Sequence, residues 1–195
     1  MVLFFDTETT GLYPGEVCQL TYIMQEKEEV FVKNFFFNVK EMPLSAVAIH
    51  GFSLERLKEL SGDKDFSYFI KEIGDDFNRA DVIVSHNFQF DEMFLRASFE
   101  RNYDSFLYHE SLCTMKSFTP ICKMQRKNSK GYKYPKLNEL CEFLGIDEET
   151  INKTTQKLFK ENVGFHDARF DTTAVYLAVN EGVKKGFLTK IAKFL

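Results

Sequence analysis

The sequence predicts an α/β protein with a mixed sheet, in which an antiparallel meander comes first and an alternation of strand and helix follows. Three observations carry this reading. Strand-like runs occupy Val2 to Phe5, Val17 to Met24 and Val30 to Val39, the last two joined across the charged Glu26-Lys27-Glu28-Glu29. Asp81-Val82-Ile83-Val84-Ser85 is a short continuous apolar run of the kind buried on both faces. Helical spacing flanks that run, with Phe66, Phe69, Ile70, Ile73 and Phe77 before it and a helix from Gln89 to Phe99 after His86-Asn87.

The remaining elements follow in order. A short helical stretch is expected around Ser53 to Leu57, and Leu137 to Leu144 reads as a helix closed by Gly145. A polar loop is expected from there to His166, then helices over Ala168 to Asn180 and about Val183 to Phe194. No internal repeat or linker interrupts the chain, so residues 1–195 are expected to form a single domain.

Composition excludes several classes. Hydrophobic residues make up 44% and charged residues 28%, which is ordinary for a globular protein and argues against disorder. Most of the 22 phenylalanines must be core, since no tryptophan shares that task. No apolar run reaches the roughly 20 residues of a spanning helix, and the first residues lack the pattern of a signal peptide, so a cytoplasmic protein without membrane contact is expected. Cys18, Cys113, Cys122 and Cys141 are scattered, which fits reduced thiols rather than a zinc site or a disulfide framework.

The net charge of −4 is unevenly spread. Between Ser111 and Asn138 lie Lys116, Lys123, Arg126, Lys127, Lys130, Lys133 and Lys136 with no acidic residue among them, interleaved with Phe118, Tyr132 and Tyr134. Such a stretch is either a phosphate-backbone footprint or a solvated basic loop.

The chemistry-bearing residues are acids on apolar faces. Side chains alternate along a strand, so Asp6 and Glu8 point the same way as Val2 and Phe4. The pair either ends the strand at the turn of Thr9, Thr10 and Gly11, or is neutralised by a cation or a shared proton. Asp91 shares a helix face with Phe94, Leu95 and Ser98, and Asp171 one with Ala174, Val175 and Ala178, so both face inward. Four carboxylates converging on one place would repel, and oxygen coordination of hard divalent cations such as Mg²⁺ or Mn²⁺ relieves that repulsion.

Phe5-Asp6-Thr7-Glu8-Thr9-Thr10-Gly11-Leu12 resembles the first motif of the DEDDh exonucleases, the family that includes the proofreading subunit of bacterial DNA polymerase III, RNase T and oligoribonuclease. His86-Asn87-Phe88-Gln89-Phe90-Asp91 is similar to the second motif and His166-Asp167-Ala168-Arg169-Phe170-Asp171 to the third. Ala48-Ile49-His50-Gly51-Phe52-Ser53 and Lys136-Leu137-Asn138-Glu139-Leu140 also read like family positions. The resemblance implies an RNase H-like fold, a mixed five-stranded sheet flanked by helices.

It further implies that Asp6, Glu8, Asp91 and Asp171 hold two Mg²⁺ ions, replaceable by Mn²⁺, with Asp6 bridging both. Two such ions, about 3.5 to 4 Å apart, activate a water and stabilise the leaving 3′ oxygen. His166 is then the general base, and Thr9, Leu12, Asn87 and Phe90 are the candidate contacts to the terminal nucleotides. His50 is assigned to a local turn, His86 and His109 to structure, and Asp167 to a helix cap.

The expected substrate is the 3′ end of single-stranded DNA or RNA, DNA being favoured by the basic segment, with nucleoside 5′-monophosphates as products. RNA 3′ trimming uses the same site, and a non-catalytic nucleic-acid-binding module is the rival from another class. A polymerase or repair partner is compatible with the resemblance, and the residues leave the oligomeric state open.

Overall fold

Val2, Leu3, Phe4 and Phe5 are all without solvent exposure, which requires a strand with neighbours on both edges and cover on both faces. The computed structural model, which describes residues 1–127, 130–161, 163–164 and 166–195, provides this environment. Strand β1 (Val2–Thr9) pairs antiparallel with β2 (Val17–Glu26), which pairs antiparallel with β3 (Glu29–Phe36). On its other edge β1 runs parallel to β4 (Val82–Ser85), and β4 runs parallel to β5 (Glu110–Cys113). The five-stranded order is β3-β2-β1-β4-β5.

Among the described residues eight helices connect and cover the strands: α1 (Leu44–His50), α2 (Leu54–Ser61), α3 (Phe66–Arg79), α4 (Phe88–Arg101), α5 (Thr114–Cys122), α6 (Leu137–Leu144), α7 (Glu148–Phe159) and α8 (Ala168–Lys184). The alternation of β1 divides them between two cores. Leu3 and Phe5 pack with the phenylalanines of α3 and α4, where Phe5 meets Phe77 edge-on at 5.1 Å and Phe77 meets Phe106 at 5.2 Å. Val2 and Phe4 pack on the opposite face against α5, α6 and α8, through Phe118, Leu140, Val175 and Val179. The phenylalanine-rich composition thus serves two apolar layers, one on each side of the sheet.

Several boundaries differ from the sequence-based expectation. Strand β3 stops at Phe36: the Phe37 amide still donates to Cys18 of β2, but the Asn38 amide turns to the Lys64 carbonyl and Val39 enters a separate cluster with Cys18 and Leu57. The expected polar loop before His166 contains α7, started by Asp147, whose carboxylate accepts from the Thr150 amide at 2.8 Å. Its buried stripe is only Ile151 and Thr155, too thin to register as apolar periodicity. The basic segment includes α5, despite Pro120 within it, because Phe118 is fully buried there. The final helix expected over Val183 to Phe194 is instead the end of α8 at Lys184 followed by turns, with Gly186 at φ 74° breaking the helix.

Gly182 marks the tightest approach in the second core. A Cβ there would lie 2.6 Å from Cζ of the buried Phe118 ring and 3.2 Å from Leu188 Cδ1. Helix propensity favours alanine by about 1 kcal/mol, but overpacking a rigid ring costs about 1 to 3 kcal/mol. Gly182→Ala is therefore expected to lower Tm by a few degrees in a thermal melt, and an increase would show that the ring gives way freely.

Among the described residues no helix is long and apolar enough to cross a membrane.

Candidate metal centre and cleft

The acid pair sits where β1 leaves the protected interior. Asp6 and Glu8 continue the Val2 and Phe4 face toward α8, while Thr7 between them points to the α4 side. Helix α8 is anchored to β2 at its start. The Asp167 carboxylate caps it by accepting from the Arg169 amide at 3.0 Å, and also accepts from Arg169 Nε at 2.8 Å and Gln19 Nε2 at 3.1 Å. Gln19 Oε1 in turn accepts from the Ala168 amide. With Asp167 committed in this way, Asp171 one turn on is the residue that faces β1. Oxygen atoms of Asp6, Glu8 and Asp171 lie within 4.8 Å of one another.

Asp91 arrives from the other side of the sheet. The turn from β4 into α4 passes through Asn87 in the left-handed region, at φ 66° and ψ 45°, and this places Asp91 in the first turn of α4. The Thr7 hydroxyl donates to Asp91 Oδ1 at 2.7 Å, fastening this acid to the strand that carries the pair. All four acids line one cleft of about 650 Å³, together with His86, Asn87, Phe90 and His166.

His166 precedes the α8 cap in a left-handed conformation, φ 62°, with its side chain exposed and its amide donating to Asp171 Oδ2 at 3.2 Å. The base candidate and one metal-ligand candidate are therefore held in register by the backbone.

Burial and mutual repulsion disfavour the ionised forms of the clustered acids. Burial is the largest cause raising each of the four carboxyls. Asp6 is held well above the usual carboxylate range, with the charges of Asp91 and Asp171 adding to burial. Glu8 is raised to about 9 by burial and the charge of Asp171, and Asp171 to about 7 against the opposing His166 amide. Asp91 rises to about 7 although the Thr7 hydroxyl favours its ionised form. The donor set is all carboxylate oxygen, the chemistry that hard divalent cations select, and its mutual repulsion is what a cation removes.

The other sequence-based assignments divide clearly. Asn87 is exposed on the cleft wall, and Phe90 lines the cleft while its ring packs on Phe94 at 4.9 Å, so it serves wall and core together. Thr9 is buried, its hydroxyl donating to the Gly11 carbonyl at 2.9 Å, and neither it nor Leu12 lines the cleft. Leu12 is 76% exposed on the adjoining loop. His50 organises its turn by accepting from the Phe52 amide at 3.1 Å. His86 spans Thr114 and the Pro135 carbonyl at 2.9 and 3.1 Å, and its burial lowers it to about 4.

Sequence reasoning did not place Thr7, Lys136, Leu137 or Asn138 at the site, yet all four line the cleft. The last three belong to a stretch that resembled a family segment, and that resemblance was the available signal.

The sheet order and the flanking helices define an RNase H-like fold, and a carboxylate cluster stands at the end of its central strand. This fold is the one found in exonuclease I of E. coli. In its complex with a dT13 oligonucleotide the TM-score is 0.69 at 20% identity, over 94% of this chain and 40% of that one. In the complex with a dA16 oligonucleotide the TM-score is 0.72 at 18% identity, over 97% and 42%. A zinc-bound form of the E. coli enzyme with single-stranded DNA gives 0.71 at 18% identity, over 94% and 40%. The chain therefore spans about two fifths of the length of these proteins. No protein-family model matches the chain. No curated protein matches it either.

Proposed function

We propose that residues 1–195 form a metal-dependent 3′–5′ exonuclease domain that hydrolyses single-stranded nucleic acid, DNA in preference to RNA, to nucleoside 5′-monophosphates. The observation that carries this reading is the meeting of Asp6, Glu8 and Asp171 within 4.8 Å, beside Asp91 and His166 in one cleft.

Asp6, Glu8, Asp91 and Asp171 would hold the divalent ions, two Mg²⁺ or Mn²⁺ in this reading. Bound there, such ions supply an acidified water and positive charge for the leaving 3′ oxygen. The chain's own residues do the rest. Thr7 fixes the Asp91 carboxylate through its hydrogen bond, so that ligand does not have to reorganise on binding. His166, exposed at the cleft and carried by the turn whose amide touches Asp171, takes the proton from the attacking water on its ring nitrogen. Asn87 and Phe90 on the wall receive the terminal nucleotide, and packing of an aromatic ring on a base tolerates every base. Leu12 is wedged by the terminal bases from its exposed loop, and Thr9 shapes that loop through the Gly11 carbonyl.

The fold shared with exonuclease I supports DNA as the first substrate to test. The purified protein incubated with 5′-labelled single-stranded DNA and matching RNA, in Mg²⁺ and in EDTA, is expected to give a ladder shortening from the 3′ end in Mg²⁺ alone. Asp6→Ala is expected to give none. The faster strand identifies the substrate. Intact strands of both kinds in Mg²⁺ and in Mn²⁺ would overturn the assignment and leave the non-catalytic binding module.

A further inference from the structure

We propose that residues 123–127 and 130–136 are the track for the upstream part of a single-stranded phosphodiester chain, their cations meeting phosphates and Tyr132 and Tyr134 meeting bases. The proposal rests on the exonuclease reading and names how that site would hold a long strand.

Residues 123–127 and 130–136 have built structure. Gln125 bridges antiparallel to Tyr132, the Lys133 amide donates to the Met124 carbonyl at 2.8 Å, and Arg126 Nε donates to the Tyr132 carbonyl at 3.0 Å. The exit is clamped on two sides. The buried Pro135 offers its carbonyl to His86 Nε2 at 3.1 Å. A carbonyl only accepts, so Nε2 carries the proton and Nδ1 accepts from the Thr114 hydroxyl at 2.9 Å. On the other side Glu139 accepts from the Lys136 amide at 2.9 Å and pairs with Lys133. The clamp delivers Lys136 to the wall of the cleft that holds the four acids.

Charge and exposure fit the occupant. Glu139 occupies Lys133, but Lys123, Arg126, Lys127, Lys130 and Lys136 are exposed, and among the described residues none of them has a carboxylate within 4.0 Å. Tyr134 is 52% and Tyr132 36% exposed beside them. Unpaired cations interleaved with open rings match a polyanion whose bases are free to stack, which a duplex or an acidic protein surface does not offer.

The test is anisotropy binding of fluorescein-labelled dT20 and dT4 in EDTA across a salt series, with a thermal melt of each variant as the folding control. The variant with Lys123, Arg126, Lys127 and Lys130 all changed to Gln is expected to bind dT20 more than tenfold more weakly near 0.1 M salt. Its log–log salt slope is expected to flatten by about 3, since each single-strand phosphate contact contributes roughly 0.7. Tyr134→Ala is expected to weaken dT20 binding about fivefold or more. The ratio of dT20 to dT4 affinity is expected to fall in both variants. Unchanged dT20 affinity and slope in the quadruple variant would overturn the track. Binding is read without turnover, so a wild-type protein that cleaves nothing yet binds dT20 through these residues would remove the exonuclease and leave the track standing.

Discussion

Asp171→Asn is expected to lower exonuclease activity by on the order of 10² to 10³-fold or more while raising the melting temperature of the metal-free protein. The two effects share one cause. The substitution keeps size and leaves an oxygen for the His166 amide, which now donates to Asp171 Oδ2 at 3.2 Å. It removes one of three carboxyl groups whose oxygens lie within 4.8 Å. Removing one preorganised oxyanion-hole donor typically costs about 2.7 to 4 kcal/mol of transition-state stabilisation, and loss of a metal-holding carboxylate is expected to cost at least as much. In the metal-free protein the same charge is a liability, because it disfavours ionisation of both Glu8 and Asp6. Activity on a labelled 20-mer and melts in EDTA and in Mg²⁺ measure both arms. A variant that retains activity within tenfold would remove Asp171 from the metal centre. One that melts lower than wild type in EDTA would contradict the repulsion.

The metal-free protein is also expected to lose stability steadily between pH 6.5 and 8.5, and Mg²⁺ is expected to abolish most of that loss. Unfolded carboxyls titrate near pH 4. In the folded protein Asp91 and Asp171 are raised to about 7, Glu8 to about 9 and Asp6 well above its ordinary value. The folded state therefore binds more protons than the unfolded one, so its stability is fully present below about pH 4 and drains as pH rises through the folded values. Buried His86, lowered to about 4, acts in the opposite sense, since its contribution is lost as pH falls below its unfolded value. Above pH 6.5 His86 is neutral in the folded state and progressively so in the unfolded one, so its opposing contribution fades across the window. A difference of one bound proton over two pH units amounts to about 2.7 kcal/mol. For a domain of this size that is a fall of about 5 to 10 °C in Tm. Melts in EDTA at half-unit steps check the sign, and a flat or rising Tm would show that the four carboxyls are ionised and satisfied without metal.

Much of the site was legible because it depends on local periodicity. Asp91 and Asp171 were read as inward-facing from their spacing to apolar neighbours, and in the structure Phe94, Leu95, Ser98, Ala174, Val175 and Ala178 are all buried. The Asp167 cap and the His50 turn are contacts between residues two apart, which sequence neighbours decide. Helix α7 was missed because its buried stripe is thin, although Asp147 with Glu148 and Glu149 in the first turn is an N-terminal signature.

The sequence by itself determined the strand that presents Asp6 and Glu8 together and the inward faces of α4 and α8, on which Asp91 and Asp171 lie. Each of these follows from the pitch of a strand or helix. Only the tertiary structure decided that Asp91 and Asp171 reach β1 from opposite faces of the sheet, that Thr7 fastens one of them, and that His86 clamps Pro135 so that Lys136 borders the acids. Periodicity sets which side of an element is apolar, but it carries no information about which face of the sheet that side will cover. Nor does it tell where a segment 49 residues downstream returns to meet His86.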